Sequence, residues 1–131
     1  MTAVTPDLAG EHEKLGDLAS RYVDVERLPW RDTRWPRIKM KVLLEDKTTG
    51  LLTALFRWEP GAELPLHEHV QIEQSFTLEG SLEDDEGVCT AGNFVWRPGT
   101  SRHVARAPNG ANRASAGAKK CRWAQSATNH L

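Results

Sequence analysis

The sequence predicts an all-β fold, a sandwich or barrel of short strands, and three observations carry that expectation. From residue 38 onward the chain breaks into short runs, at 38–44, 51–58, 72–78, 79–83, 87–91 and 93–97, divided by turn residues. Two of the connections, Lys47-Thr48-Thr49-Gly50 and Asp84-Asp85-Glu86-Gly87, read as hairpin turns, each with a glycine that tolerates positive φ. A chain of 131 residues falls near the common size of one domain and is long enough to bury a core.

Taken in order, residues 1–21 form an N-terminal extension. It is polar and has room for a short helix over 7–20, weakened by Gly10 and Gly16, with His12 as a solvent-exposed side chain. The main domain spans 22–110, with a first strand expected where Tyr22-Val23-Asp24-Val25 alternates. Pro29 and Pro36 exclude a central strand or a helix over 28–36, so this stretch is an extended loop whose Trp30 and Trp35 pack on the barrel. On the strand at 51–58, an outward Arg57 puts Ala54, Phe56 and Trp58 on the opposite face. Phe56 and Trp58 are then either walls of a pocket or packed core, and Trp96 carries the same alternatives. Ser75 and Thr77 alternate with Glu73 and give that face a small, polar character. The acidic run at 83–86 lacks the spacing of a calcium loop and reads as a solvated hairpin tip. Cys89 reads as a buried strand residue.

Residues 111–131 read as a polar tail. Between Ala107 and His130 there is no Val, Leu, Ile, Met or Phe, and Trp123 is the only large apolar side chain. Such a segment is expected to be disordered and to leave an open sheet edge that a dimer partner would cover. An altered reading frame after about Gly110 would produce the same departure.

The chemistry concentrates in two blocks. In the first, Gly61 and Pro65 lead into His67-Glu68-His69, with Glu73 four residues after the second histidine and Gly80 beyond. Residues two apart on a strand share a face, roughly 6–7 Å apart, so the histidine pair forms a two-toothed clamp. Imidazole and carboxylate are ligands for divalent Fe, Mn, Ni, Cu and Zn. The second block runs from Gly92 through Pro98 and Gly99 to His103, which could complete the clamp together with Glu73. Gln71, two residues from both His69 and Glu73, either reaches a metal-bound water or lies in a surface turn.

These blocks resemble the two cupin motifs. The first matches G-x5-H-x-H-x3-E-x6-G through Gly61, His67, His69, Glu73 and Gly80; the second matches through Gly92, Pro98 and His103. The second departs from its pattern in that Gly99 directly follows Pro98 and Ala107 stands at the place of the final Asn. The stretch from about Tyr22 to Gly110 is similar to small bacterial RmlC-like cupins, in the subgroup of ChrR-type anti-sigma factors and of dioxygenases that cleave acetylacetone or dihydroxyacetophenone. That resemblance implies a jelly-roll barrel and one divalent ion per chain, Fe(II) ahead of Zn, Mn or Ni. It gives His67, His69 and His103 as ligands. Glu73 is a fourth ligand in many cupins, whereas some dioxygenases of the fold rely on three histidines alone; the resemblance is taken to make Glu73 a fourth ligand, ahead of the alternative of a partner orienting a histidine.

Three functions are compatible with this reading. The first is a non-haem Fe(II) dioxygenase cleaving a carbon–carbon bond in a small diketone or aromatic hydroxy-ketone. The others are a non-catalytic metal sensor of the ChrR type and a metal-dependent isomerase or lyase. The expected partners are a small-molecule substrate, bordered by Phe56, Trp58, Gln71 and Trp96, and a second copy of the chain in a homodimer. No motif for covalent catalysis occurs, so no catalytic group beyond the metal ligands is expected. A net charge of −1 gives no general attraction to nucleic acid or anionic membranes. No apolar run approaches the ~20 residues of a membrane span. The N-terminus has neither the basic start nor the apolar core of a secretory signal, and Cys89 and Cys121 form no CxxC pair, so a cytoplasmic setting is expected.

Overall fold

Alternating strands govern the fold. The computed structural model describes residues 1–118 and 121–123, and among these regular structure is nearly all β. The strands are β1 (Arg31–Asp32), β2 (Ile38–Asp46), β3 (Leu51–Trp58), β4 (Ala62–His69), β5 (Glu73–Glu83), β6 (Val88–Thr90), β7 (Phe94–Arg97), β8 (Arg102–Ala107), β9 (Ala111–Ala118) and β10 (Cys121–Trp123). Hydrogen-bonded neighbours run β1-β2-β3-β9-β5-β8-β4-β10, with β6 and β7 also on β5. One apolar core joins Ile38 and Met40 of β2, Phe56 and Trp58 of β3, Leu64 of β4 and Leu82 of β5. Strands far apart in the sheet order thus share one interior, which is what curls the sheet into a barrel.

Side-chain alternation sets the inward face. On β3, Leu52, Ala54, Phe56 and Trp58 are buried and Arg57 is exposed, as the sequence predicts. On β5 the inward residues are Glu73, Ser75 and Thr77, all buried. The two runs expected at 72–78 and 79–83 are one strand that bends at Gly80. There φ is +70, and a Cβ would lie 2.1 Å from the Gly110 carbonyl oxygen, so only glycine fits. Both hairpins form where expected, and Gly50 takes φ +81.

Four expectations need correction. Residues 22–25 form no strand; the chain turns through a 3-10 helix at Val25–Arg27, and Lys41 donates from Nζ to the Val25 carbonyl at 2.9 Å. Four alternating residues carry too little pattern to hold a strand without a partner. The helix over 7–20 shrinks to one 3-10 turn at His12–Lys14, and His12 is half-buried with its backbone N–H donated to Asp7. Within the acidic tip, Asp85 and Glu86 are exposed, but Asp84 is buried, accepts the Glu86 and Gly87 N–H groups, and pairs with Arg97 at 2.6 Å.

The largest correction concerns the tail. Residues 111–118 are strand β9, seated between β3 and β5 at the centre of the sheet, so these strands present no open edge there. Small side chains suffice because β9 is held on both sides by main-chain ladders, and its inward positions are Ala111, Arg113 and Ser115. It lacks the large apolar groups that contribute about 1.5–3 kcal/mol each elsewhere. The rest of the tail, 119–120 and 124–131, lies outside the described residues. The loop at 28–36 does place Trp35 against the core, while Trp30 is stacked by the Arg57 guanidinium at 4.2 Å.

Candidate metal centre

β4 delivers His67 and His69 to the barrel interior, both buried, with Glu68 between them facing away. β8 runs antiparallel to β4 with His103 directly opposite His67, so the second motif reaches the first by strand register. The turn before β8 is tied to β4: Thr100 donates its N–H to the His69 carbonyl at 2.6 Å, and His69 donates its own to Ser101 at 3.0 Å. Thr100 has φ +71, a left-handed conformation that suits glycine. It occupies the place where the second motif has its glycine, so the turn keeps the geometry while the residue pays in strain.

The three histidines converge. One ligand atom from each of His67, His69 and His103 lies within 4.8 Å of the others. The Nε2 atoms of His69 and His103 are 3.1 Å apart. Two imidazole nitrogens bound to one ion at about 2.0–2.1 Å would stand roughly 2.9–3.4 Å apart, so this pair is already at ligand spacing. His67 points Nδ1 at the Pro65 carbonyl at 2.8 Å; a carbonyl only accepts, so Nδ1 carries the proton and Nε2 offers a lone pair. The cavity they border measures about 20 Å³, room for a water-sized group, and is walled by Trp58, Leu64, Leu82 and Val95.

Electrostatics favour the neutral, ligating form. Burial lowers all three imidazoles, His69 to about 4 and His103 to about 3, and Arg97 adds to the effect on His103. His103 Nδ1 and Trp58 Nε1 are buried without a hydrogen-bond partner among the described residues. Neutral buried imidazoles at this spacing fit a divalent ion.

Glu73 stands beside this cluster rather than within it. Its Oε2 lies 3.5 Å from His69 Nδ1, and its Oε1 accepts from Arg113 Nη1 at 3.3 Å. Burial acts to raise its carboxyl, but Arg113 and the neighbouring histidines outweigh that and hold it below its usual range. Arg113 is the residue that sequence reasoning missed. It is buried, it donates to Ser75 Oγ at 2.6 Å, and it comes from the segment expected to be disordered. The available signal was alternation of Ala111, Arg113 and Ser115 after Gly110, the pattern of a strand needing little side-chain volume.

The remaining expected pocket residues separate. Trp58 borders the cavity, whereas Phe56 packs in the core beneath the Arg113 guanidinium at 4.9 Å. Gln71 is exposed in the turn between β4 and β5 and does not line the cavity. Trp96 is 52% exposed and lines an outer groove of about 430 Å³. That groove and the histidine cavity share Leu82, Val95 and Arg97.

A family model described as a ChrR cupin-like domain matches residues 18–112. Among solved structures, an acetylacetone dioxygenase from Acinetobacter johnsonii superposes with a TM-score of 0.73 at 15% identity, covering 89% of this chain and 86% of that one. An RmlC-like cupin from Ralstonia eutropha JMP134 gives 0.74 at 20% identity, covering 86% and 77%. The Rhodobacter sphaeroides complex of SigE with the anti-sigma ChrR gives 0.59 at 20% identity, covering 70% of this chain and 49% of that chain. No curated protein sequence matches. At these identities the structural likeness speaks for the fold alone.

Proposed function

The chain belongs to the ChrR cupin-like domain family, and on that premise we propose that it is a metal-dependent dioxygenase cleaving a carbon–carbon bond in a small diketone or aromatic hydroxy-ketone. The observation that carries this reading is the convergence of three buried, neutral histidines on one point. A bound divalent ion, Fe(II) by preference, would supply a Lewis acid and one-electron chemistry with dioxygen there. The chain's own residues do the rest. His67, His69 and His103 are the holding groups, and three neutral ligands leave the ion's charge uncompensated and positions open for an enolate. Arg97 borders both cavity and groove, where its pairing with Asp84 at 2.6 Å holds the guanidinium in place beside the histidines. Trp58, Leu64, Leu82 and Val95 exclude water. Because the cavity holds only a water-sized group, the substrate's carbon skeleton would occupy the groove beside Trp96.

A homodimer and a cytoplasmic setting belong to the same proposal. Phe76 and Leu78 of β5 are exposed on the outer face and do not line the groove, apolar groups of the kind that self-association covers. Among the described residues no helix is long and apolar enough to cross a membrane. A second reading, a metal-binding sensor without catalysis, is favoured by the description of the family itself. Oxygen uptake by the Fe(II)-loaded protein with a panel of β-diketones separates the two. The dioxygenase consumes one O2 per substrate cleaved, and His67→Ala abolishes it. Iron-loaded protein that consumes none across the panel would sink the enzymatic reading.

A further inference from the structure

Arg113 lies one residue beyond the stretch matched by the family model, in the strand whose composition hides it. The two ladders of β9 fix its position, opposite Phe56 of β3 and Thr77 of β5. Its guanidinium stands over the rings of Phe56 and Trp58, at 4.9 and 5.5 Å, and Nη1 reaches both Ser75 Oγ and Glu73 Oε1. A planar, rigid donor fork packed this way has little freedom to follow a carboxylate that moves. Four positions along, Gly117 is the cross-strand partner of Glu73, and a Cβ there would meet the Ile72 carbonyl at 2.7 Å. β9 therefore lies flush against the backbone that carries Glu73.

Both carboxylate oxygens of Glu73 are thus engaged, Oε1 by Arg113 and Oε2 facing His69 Nδ1 at 3.5 Å. To ligate an ion, Glu73 would have to turn Oε2 away from His69 Nδ1 and pull Oε1 against the Arg113 that holds it, and breaking that buried pair is heavily penalised. Building on the metal-site reading above, we propose that Arg113 is a positioning residue that withholds Glu73 from the metal, so that this chain holds its ion through three histidines alone. Glu73 then serves by orienting His69 through Nδ1, and the ion keeps its full charge and an extra open position. The substrate class that suits such a centre is a bidentate oxygen anion, the enolate of a β-dicarbonyl or a hydroxy-ketone.

Co(II) added to the full chain tests this, because its visible absorption reports ligand set and coordination number. The comparison runs across wild type, Glu73→Gln, Arg113→Met and the double variant. Wild type and Glu73→Gln are expected to share band positions, with Co(II) bound roughly 10–100-fold more weakly in Glu73→Gln for want of the orienting partner. Arg113→Met frees the carboxylate, shifts the bands and tightens binding, and adding Glu73→Gln returns the bands to the wild-type positions. If Glu73→Gln alone shifts the wild-type bands as a lost ligand would, the proposal is overturned, and that comparison needs no Arg113 variant to fold. A folded Arg113→Met with wild-type bands overturns it equally. Wild-type protein that takes up no Co(II) overturns the metal-site reading itself, and this inference with it.

Discussion

At the scale of single residues, the histidine cluster couples stability to pH. Burial depresses His67, His69 and His103, with His69 near 4 and His103 near 3. Above about pH 6.5 the imidazoles are neutral in both folded and unfolded chains, and the full stability is present. As pH falls below that value, the unfolded chain takes up protons that the folded one refuses. Stability is then lost down to pH near 4 for His69 and near 3 for His103, by up to about 1.4 kcal/mol per unit for each group. The urea midpoint of the metal-free protein should therefore drop steadily between pH 6.5 and 4.5; a flat midpoint would contradict the burial of these rings. The histidines themselves were legible in the sequence, because the i, i+2 spacing and the second glycine-proline block survive as strand geometry. The role of Glu73 was not. Its Arg113 partner lies 40 residues away in a segment with no large apolar side chain, and spacing along the chain carries no trace of that pairing.

At the scale of elements, strands with alternating apolar residues were readable and strands held by their neighbours were not. β3 spans the predicted 51–58, because Leu52, Ala54, Phe56 and Trp58 write the inward face directly. β9 offers only Ala, Ser, Gly and one Arg at its inward positions, and its stability comes from main-chain pairing on two sides that no local pattern encodes. Tyr22-Val23-Asp24-Val25 shows the converse, an alternation too short to compete with a turn. Two positions with positive φ, Gly80 within β5 and Thr100 in the turn before β8, yield predictions of opposite sign. Gly80→Ala adds left-handed strain to a Cβ 2.1 Å from the Gly110 oxygen, and should lower unfolding free energy by about 2–5 kcal/mol. Thr100→Gly relieves φ +71 and should raise it by about 0.5–1 kcal/mol, the strain removed less the added chain entropy. Denaturant titration reads both, and a neutral Gly80→Ala would mean that β5 does not bend as described.

At the scale of the whole molecule, the curled sheet brings two distant motifs to one interior point and closes them with β9. His103 reaches His67 by the β4–β8 register, and Glu73 reaches Arg113 across the β5–β9 ladder. The central claim is that this point holds one divalent ion on His67, His69 and His103. Elemental analysis of freshly purified protein, with His67→Ala and His103→Ala beside it, tests that claim most directly. The account expects about one divalent ion per wild-type chain, lost in both variants while circular dichroism shows the β-fold retained. Wild-type protein that is metal-free and takes up no added Fe(II), Zn(II), Mn(II) or Ni(II) would contradict it.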